Sequence, residues 1–471
     1  MIKKLSTKER MALQRTKMPE LDPQIRSRNF EEVNQGLNEE SAIQEAQRCL
    51  RCKNRACVGG CPVQMSIPEF IGELAEGNLV QAAKILRHDS ALPAVCGRVC
   101  PQEVQCESKC IRGVKSLPVA IGYLERFVAD WALKNREKVR EEISPTKTGK
   151  KVVIVGCGPA GLTAAGELSR RGHEVTIFEA LHDTGGVLRY GIPEFRLPKE
   201  IIDIEVAGLV EVGVKIECNV VVGKTLTLDQ LREEFDAIFI ANGAGLPQML
   251  NIPGENLKGV LSANEFLTRV NLMGAGRNEN VATPIIKGHH VAVIGAGNTA
   301  MDCVRTARRL GAERAMIIYR RTEAEMPARK EEIHHAKDEG IEFVFLTSPL
   351  KIIGNNENWA QFLRCQKMEL GEVDSSGRRR PQAIPKAIED IPVDVVINAL
   401  GTRANPLLTS TAPELKLNKF GNVEINPETG ETSLPGVFAG GDIVRGGATV
   451  ILAMGDGKKT AESIHNYLRQ K

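Results

Sequence analysis

Apolar positions follow two rhythms along the chain. Up to about residue 148 they recur at helical spacing over 39–49, 67–76, 79–86 and 121–134, which predicts a small α-helical domain. From residue 150 they gather into short continuous runs, each followed by a glycine-rich turn and an amphipathic stretch. The segment KKVVIVGCGPAGLTAAGELSRRGHEVTIFEA reads strand, turn, helix, strand, and HHVAVIGAGNTAMDCVRTARRLGAERAMIIYRR repeats that order from His289. Strands apolar on both faces signal a sheet covered on both sides, so the repeat predicts an α/β, doubly wound parallel (Rossmann-like) architecture.

Polar and glycine-containing stretches set the expected domain limits. SPTKTGK (144–150) reads as a joint, GAGRNENVATPIIKG (274–288) as a linker into the second unit, and LGTRAN (400–405) as the way back. The second unit is therefore expected to be inserted into the first. That gives a helical domain over 1–148, an outer unit over 149–280 and 403–471, and an inner unit over 281–402. DAIFIANG (236–243) and DVVINALG (394–401) are acid-led strands ending in Gly243 and Gly401, each expected to close its own sheet. VFAGGD (437–442) and a helical tail over 449–468 would complete the outer unit.

Composition removes several function classes. A 42% hydrophobic content over 471 residues supports an ordinary core and excludes general disorder. With 62 Lys and Arg against 59 Asp and Glu, and only 4% aromatic residues, neither a basic field nor stacking rings favour nucleic acid. No run approaches the ~20 apolar residues of a membrane helix. The basic start (Lys3, Lys4, Lys8, Arg10, Arg15, Lys17) lacks the apolar stretch of a secretory signal, so a cytoplasmic protein is expected.

Gly156, Gly158 and Gly161 form GxGxxG after a strand and at a helix start, with Pro159 and Ala160 between them. There, backbone N–H groups and the helix dipole can hold a pyrophosphate. Glu179, 23 residues beyond Gly156, stands where a carboxylate accepts hydrogen bonds from an adenosine ribose. Gly295, Gly297 and Ala300 form GxGxxA around Asn298 and Thr299, but here the next strand ends in Tyr319, Arg320 and Arg321. Guanidinium groups pair with phosphate, so Arg320 and Arg321 favour an adenosine 2′-phosphate; the bland alternative is a solvated basic strand end. Two dinucleotide units in one nested chain suit a flavin facing a nicotinamide, which assigns FAD to the outer unit and NADP(H) to the inner. Gly243 and Gly401 are read as glycine contacts to FAD and NADP(H) respectively.

Eight of the 12 cysteines lie between Cys49 and Cys110. They read Cys49-x2-Cys52-x4-Cys57-x3-Cys61-Pro, then Cys96-x3-Cys100-Pro-x4-Cys106-x3-Cys110, and a Cys-Pro at the end of a run is typical of [4Fe-4S] ligation. Two such clusters need eight ligands. Zinc is the competing reading, although its thiolate sites usually come as CxxC pairs and only one CxxC occurs here. Disulfides do not suit a reducing compartment.

At the phrases AQRCLRCKNRAC, LPAVCGRVCPQEVQCESKC, IGYLERFVAD, GGVLRYGIPEFRLPK, GAGNTAMDCVR and FAGGDIVRGGATVILAMGDGKKTAESI, the chain resembles one redox family. It comprises the glutamate synthase small (beta) subunit, the large subunit of NADH-dependent reduced ferredoxin:NADP oxidoreductase, and the N-terminal part of dihydropyrimidine dehydrogenase. The resemblance runs from about Asn29 to the C-terminus. It implies two [4Fe-4S] clusters in the helical domain, ahead of an FAD domain interrupted by an NADPH domain. It places Cys61, Cys100, Cys106 and Cys110 on one cluster, and Cys49, Cys52 and Cys57 on the other with Glu125 as fourth ligand; Cys96 is the all-thiolate alternative. It also implies that Gly185, Gly186, Val187 and Leu188 line the flavin. By the same resemblance Arg196 sits beside the isoalloxazine and tunes it, and Gly441, Asp442 and Thr449 meet the ribityl-pyrophosphate end.

No glutaminase segment, pyrimidine-binding barrel or nucleophile set is recognisable, so a partner is expected to hold the second half of the reaction. One expected partner is a flavin and [2Fe-2S] subunit handling NAD(H), with ferredoxin as carrier and electron bifurcation at this chain's FAD. The other is the glutamate synthase large subunit, receiving electrons for glutamate formation from glutamine and 2-oxoglutarate. A non-catalytic iron-sulfur scaffold is the reading from a different class.

Overall fold

The computed structural model describes residues 5–139, 145–277, 280–374 and 377–470. Lys3 and Lys4 of the basic start, Ser144 of the joint, Asn278 and Glu279 of the expected linker, and Lys471 lie outside the described residues. The N-terminal part is helical, with main helices at Glu39–Ala46, Ile67–Ala75, Leu79–Asp89, Pro93–Val99 and Ile121–Lys134. Asn38 caps the first by accepting from the Ser41 N–H at 2.8 Å, and Pro68 and Pro93 occupy first turns, where no N–H is needed.

The two apolar repeats build two five-stranded parallel sheets. In the outer sheet the order is Val437–Ala439, Ala237–Ile240, Lys151–Val155, Glu174–Phe178, Lys215–Glu217. The inner sheet runs Val260–Ser262, Val395–Asn398, His290–Ile294, Arg314–Ile318, Glu342–Val344. The strands expected to close the sheets, Ala237–Ile240 and Val395–Asn398, are thus internal, beside the central strand; both are buried along their whole length, as a strand with two neighbours must be. Val437–Ala439 and Val260–Ser262 supply the outer positions instead.

The nesting has a different crossover from the expected one. Val260–Ser262 pairs into the inner sheet, and the helix Ala263–Asn271 buries Phe266 and Leu267 in the inner core with Val293 and Val304. The chain therefore leaves the outer unit well before 274–288. The crossover is a ribbon in which Leu246–Pro247 pairs antiparallel with Thr402–Arg403. An antiparallel sheet of Thr347–Gly354, Ala360–Val373 and Arg379–Pro392 also grows from the inner unit, which the apolar pattern did not announce because its long strands are mostly polar. Its few buried side chains are Thr347 and the group Ile352, Ala360, Leu363, Cys365 and Ile391, which packs against Ala292, Ile294, Met316 and Val396 of the inner sheet.

One continuous core joins the helical domain to the outer unit, taking in Leu74, Val95 and Leu124 together with Leu162, Leu168 and Met454. The C-terminal helix Val450–Arg469 packs along the helix Pro159–Arg170, and its Thr449 hydroxyl caps it at the Leu452 N–H. Among the described residues no helix is long and apolar enough to cross a membrane.

Candidate functional site

The outer turn is shaped by what each glycine excludes. Gly156 has φ +108°, and a Cβ there would lie 2.6 Å from the Ala241 carbonyl oxygen; at Gly161 it would lie 2.0 Å from that of Gly156. At Gly158 a Cβ would meet nothing within 4 Å, so this glycine opens onto space a ligand can take. The helix Pro159–Arg170 that follows has no side-chain cap, which leaves its first N–H groups for an anion. Glu179 is buried at the end of the next strand. Its carboxylate accepts from the N–H of Cys157 at 2.8 Å and of Leu181 at 2.9 Å, so it braces the turn while lining the cleft. Burial raises its pKa against those hydrogen bonds.

The inner turn repeats the design. Gly295 has φ +131° with a virtual Cβ 2.6 Å from the Ala399 carbonyl oxygen, Gly297 opens onto space, and the helix Asn298–Arg309 is again uncapped. Ala300 is fully buried where the outer turn needs glycine, so its methyl group is part of the packing. Gly243 and Gly401 both have positive φ and open surroundings.

A single cleft of about 710 Å³ reaches both turns. Gly156, Gly158, Pro159, Ala160, Glu179, Gly186, Val187, Arg196, Gly243, Asp442 and Thr449 line it from the outer unit, and Asn298, Thr299 and Asp302 from the inner. Val99 and Pro101 form its wall on the helical domain. Burial pushes the Asp442 carboxyl up to about 6, against a hydrogen bond from the Ala448 N–H. Several expected site residues do not line the cleft. Leu188 is fully buried core, and a Cβ on Gly185 would lie 2.9 Å from Ile202 Cγ2. Gly161, Gly441, Gly295, Gly297 and Ala300 shape the turns from behind or stand outside the lining, as does Gly401.

The two arginines at the inner strand end part company. Arg320 is exposed, whereas Arg321 is buried, donating from Nη2 to Asp374 at 2.7 Å and from Nε to the Arg379 carbonyl at 2.8 Å. Arg321 anchors the antiparallel sheet, so of the expected 2′-phosphate pair only Arg320 has its guanidinium available. Arg196, which lines the cleft, also has buried partners from the inner unit. Its Nη1 meets both Asp302 oxygens at 2.8 Å and its Nε lies 3.0 Å from Glu332 Oε1. Neither Asp302 nor Glu332 was singled out from sequence; the one available signal was an acid on the buried face of the helix after GAGNTA.

The cysteines form two groups, but not the expected ones. Cys49, Cys52, Cys57 and Cys110 surround one small cavity, and their thiols perturb one another. Cys61, Cys100 and Cys106 gather with Glu125, and Cys96 stands beside them. Cys110 and Glu125 thus exchange places relative to the expectation, because the 3-10 turns after Cys106 carry Cys110 back to the first loop while the helix Ile121–Lys134 points Glu125 at the second group. Cys96 is fully buried and its Sγ lies 3.4 Å from Met454 Sδ. Burial pushes the Glu125 carboxyl up to about 8. No three of these sulfurs come within 4.8 Å of one another, wider than the ~3.8 Å that a single tetrahedral zinc with 2.3 Å bonds imposes.

Comparisons with known proteins show the families to which these units are similar. Residues 26–137 match the family model "dihydropyrimidine dehydrogenase domain II, 4Fe-4S cluster", and residues 150–457 match "pyridine nucleotide-disulphide oxidoreductase". The NADPH glutamate synthase small chain of Escherichia coli (strain K12) is 37% identical over 463 residues, 97% of this chain and 98% of that one. The NADP(+)-dependent formate dehydrogenase subunit beta of Moorella thermoacetica is 40% identical over 436 residues, 88% of this chain but only 60% of that protein. Mycobacterium tuberculosis FprA in complex with NADPH shares the fold of the nested units, with TM-score 0.58 and 22% identity over 68% of this chain and 85% of that one. The chain belongs to the pyridine nucleotide-disulphide oxidoreductase family, in the branch that includes the glutamate synthase small chains, and is an NADP-dependent flavin and iron-sulfur oxidoreductase.

Proposed function

We propose that this chain is the NADP(H)-handling subunit of a larger redox complex, with FAD on the outer turn, NADP(H) on the inner turn and two [4Fe-4S] clusters in the helical domain. The observation that carries this reading is the single cleft on which both glycine turns and the helical domain converge, with Pro101 on its wall directly after Cys100. When bound, NADPH and FAD supply hydride exchange, and the clusters supply one-electron transfer. The chain's own part is to hold and align them. The uncapped helix starts after Gly158 and Gly297 suit pyrophosphates, Glu179 has lone pairs left for ribose hydroxyls, Thr449 and Asp442 line the flavin end, and Arg320 suits a 2′-phosphate. Cys49, Cys52, Cys57 and Cys110 would hold one cluster. Cys61, Cys100 and Cys106 would hold the other with Glu125, or with Cys96.

The reading that fits the N-terminal phrase MPELDPQIRSRNFEEVNQGL is the large subunit of an electron-bifurcating NADH-dependent reduced ferredoxin:NADP oxidoreductase, beside a flavin and [2Fe-2S] subunit handling NAD(H), with ferredoxin as carrier. The whole-length match to the Escherichia coli small chain favours a second reading, electron delivery to a glutamate synthase large subunit. Anaerobic purification from the native cells, with the companion chain identified by mass spectrometry, separates the two. Anaerobic NADPH should bleach the flavin band of the purified protein; no bleaching would remove both readings. Cys110→Ser should disturb the same cluster signal as Cys49→Ser, and Cys106→Ser the other.

A further inference from the structure

Several contacts join the two nucleotide units besides the covalent crossover, among them Asn271 to the Tyr190 carbonyl and Arg277 to Glu194. The crossover is a ribbon of two residues on each side, a natural hinge. Across it, Arg196 of the outer loop 192–198 reaches Asp302 and Glu332, which stand on two different helices of the inner unit. Burial disfavours the Arg196 charge, but Asp302 and then Glu332 more than offset this and hold the guanidinium ionised. Next to it, the Phe195 ring is fully buried beneath the guanidiniums of Arg305 and Arg309, which stand 4.7 and 3.8 Å from its centroid. The loop itself is held from the outer side, since half-buried Lys199 donates to the carbonyls of Leu188, Ile192 and Leu197.

The N-terminal segment 19–37 closes over this joint. It folds on itself through the Glu20–Asn34 bridge, and buried Val33 donates its N–H to the Phe195 carbonyl at 3.0 Å. Glu32 meets Arg98 and Arg126 of the helical domain at 2.8 and 3.0 Å. Arg26 and Glu20 grip the inner helix Lys330–Asp338 and its C-cap, Arg26 through Asp338 and Glu339 and Glu20 through His335 at 3.2 Å. One segment of this chain therefore touches all three units at the point where Arg196 crosses between two of them.

We propose that Arg196 is a positioning residue: clamped by Asp302 and Glu332 under the N-terminal segment, it fixes the inner turn opposite the outer one. The proposal rests on the assignment of FAD and NADP(H) to those turns. Lysine keeps the charge but lacks the planar fork that spans two carboxylates, so Arg196→Lys separates position from field. In the oxidised holoprotein, spin labels on non-canonical residues at the exposed positions Lys215 and Glu357 report the distance between the units. Arg196→Lys should broaden that distance distribution and slow single-turnover flavin reduction by NADPH about tenfold or more, while leaving the flavin midpoint potential where it was. Phe195→Leu, which keeps every charge, should broaden it too, in the same direction.

An unchanged distance distribution in both variants, or a moved flavin potential with unchanged distances, would overturn the proposal. Flavin content and melting temperature distinguish these results from misfolding. If the unaltered protein is not reduced by NADPH at all, the functional assignment fails, and the label distances still decide whether Arg196 holds the units together.

Discussion

The outer and inner units share a turn, a helix and a strand, yet each uses the end of its second strand differently. In the outer unit Glu179 turns inward and its carboxylate holds two backbone N–H groups of the turn region. At the matching place in the inner unit, the Tyr319 hydroxyl donates to the Glu325 carbonyl, Arg321 is tied into an added sheet and Arg320 faces outward. The lesson is that a nucleotide unit can be braced by the residue that also selects its ligand, or can separate the two duties. On the proposed cofactor assignment, the outer unit combines the two duties and the inner unit divides them between neighbouring arginines.

The most severe way to break that comparison is at the third position of each turn. Gly161→Ala places a methyl group on the Gly156 carbonyl and should cost ~3 kcal/mol or more, whereas Ala300→Gly, the reciprocal change, should cost only ~1 kcal/mol through helix propensity. Chemical denaturation of the two variants, with flavin content alongside, measures the difference; equal losses would show that the turns are not packed differently. Next in size, Glu179→Ala strands two buried N–H groups and should lower stability by about 2 kcal/mol or more, with faster flavin release on dilution. Tyr319→Phe removes one hydrogen bond and should cost about 1 kcal/mol without releasing flavin.

The division of labour between the arginines predicts opposite signatures. Arg320→Ala should raise the NADPH KM about 10- to 100-fold and leave NADH unaffected, as loss of a charge-assisted phosphate contact does. Arg321→Ala should lower the melting temperature and shift both cofactors alike. If Arg321→Ala instead discriminated between them, its tie to Asp374 would be incidental. The smallest expected effect concerns Asp442, whose carboxyl is raised to about 6 in the folded chain. A raised acid pKa means that folding favours the protonated form, so this group's contribution to stability declines as pH rises from about 4 to about 6. In the flavin-free protein, Asp442→Asn should match the unaltered protein below about pH 4 and exceed it above about pH 6, by melting temperature.

Much of the fold was legible because its signals are local. The βαβ units show themselves in apolar runs such as Val152–Val155 and in glycines whose φ or crowding admits nothing else. The eight clustered cysteines announced metal chemistry, and the families matched over 26–137 and 150–457 agree with that reading. The antiparallel sheet at 347–392 was missed because its strands bury few side chains, so composition there looks like surface. Arg196, expected beside the flavin, lines the cleft, but its partners lie 106 and 136 positions away and carry no local mark.

By itself, then, the sequence determined the helical iron-sulfur layer, the two nested nucleotide units and the chemistry of the ligands, because periodicity, φ restrictions and side-chain type act over a few residues. Tertiary structure alone decided which cysteines share a cavity, where the chain crosses between units, and which arginine faces outward and which is an anchor. Those outcomes depend on contacts between segments tens to hundreds of residues apart. Cys110 and Glu125 lie only 15 residues from each other in the chain, and packing still sends them to different groups.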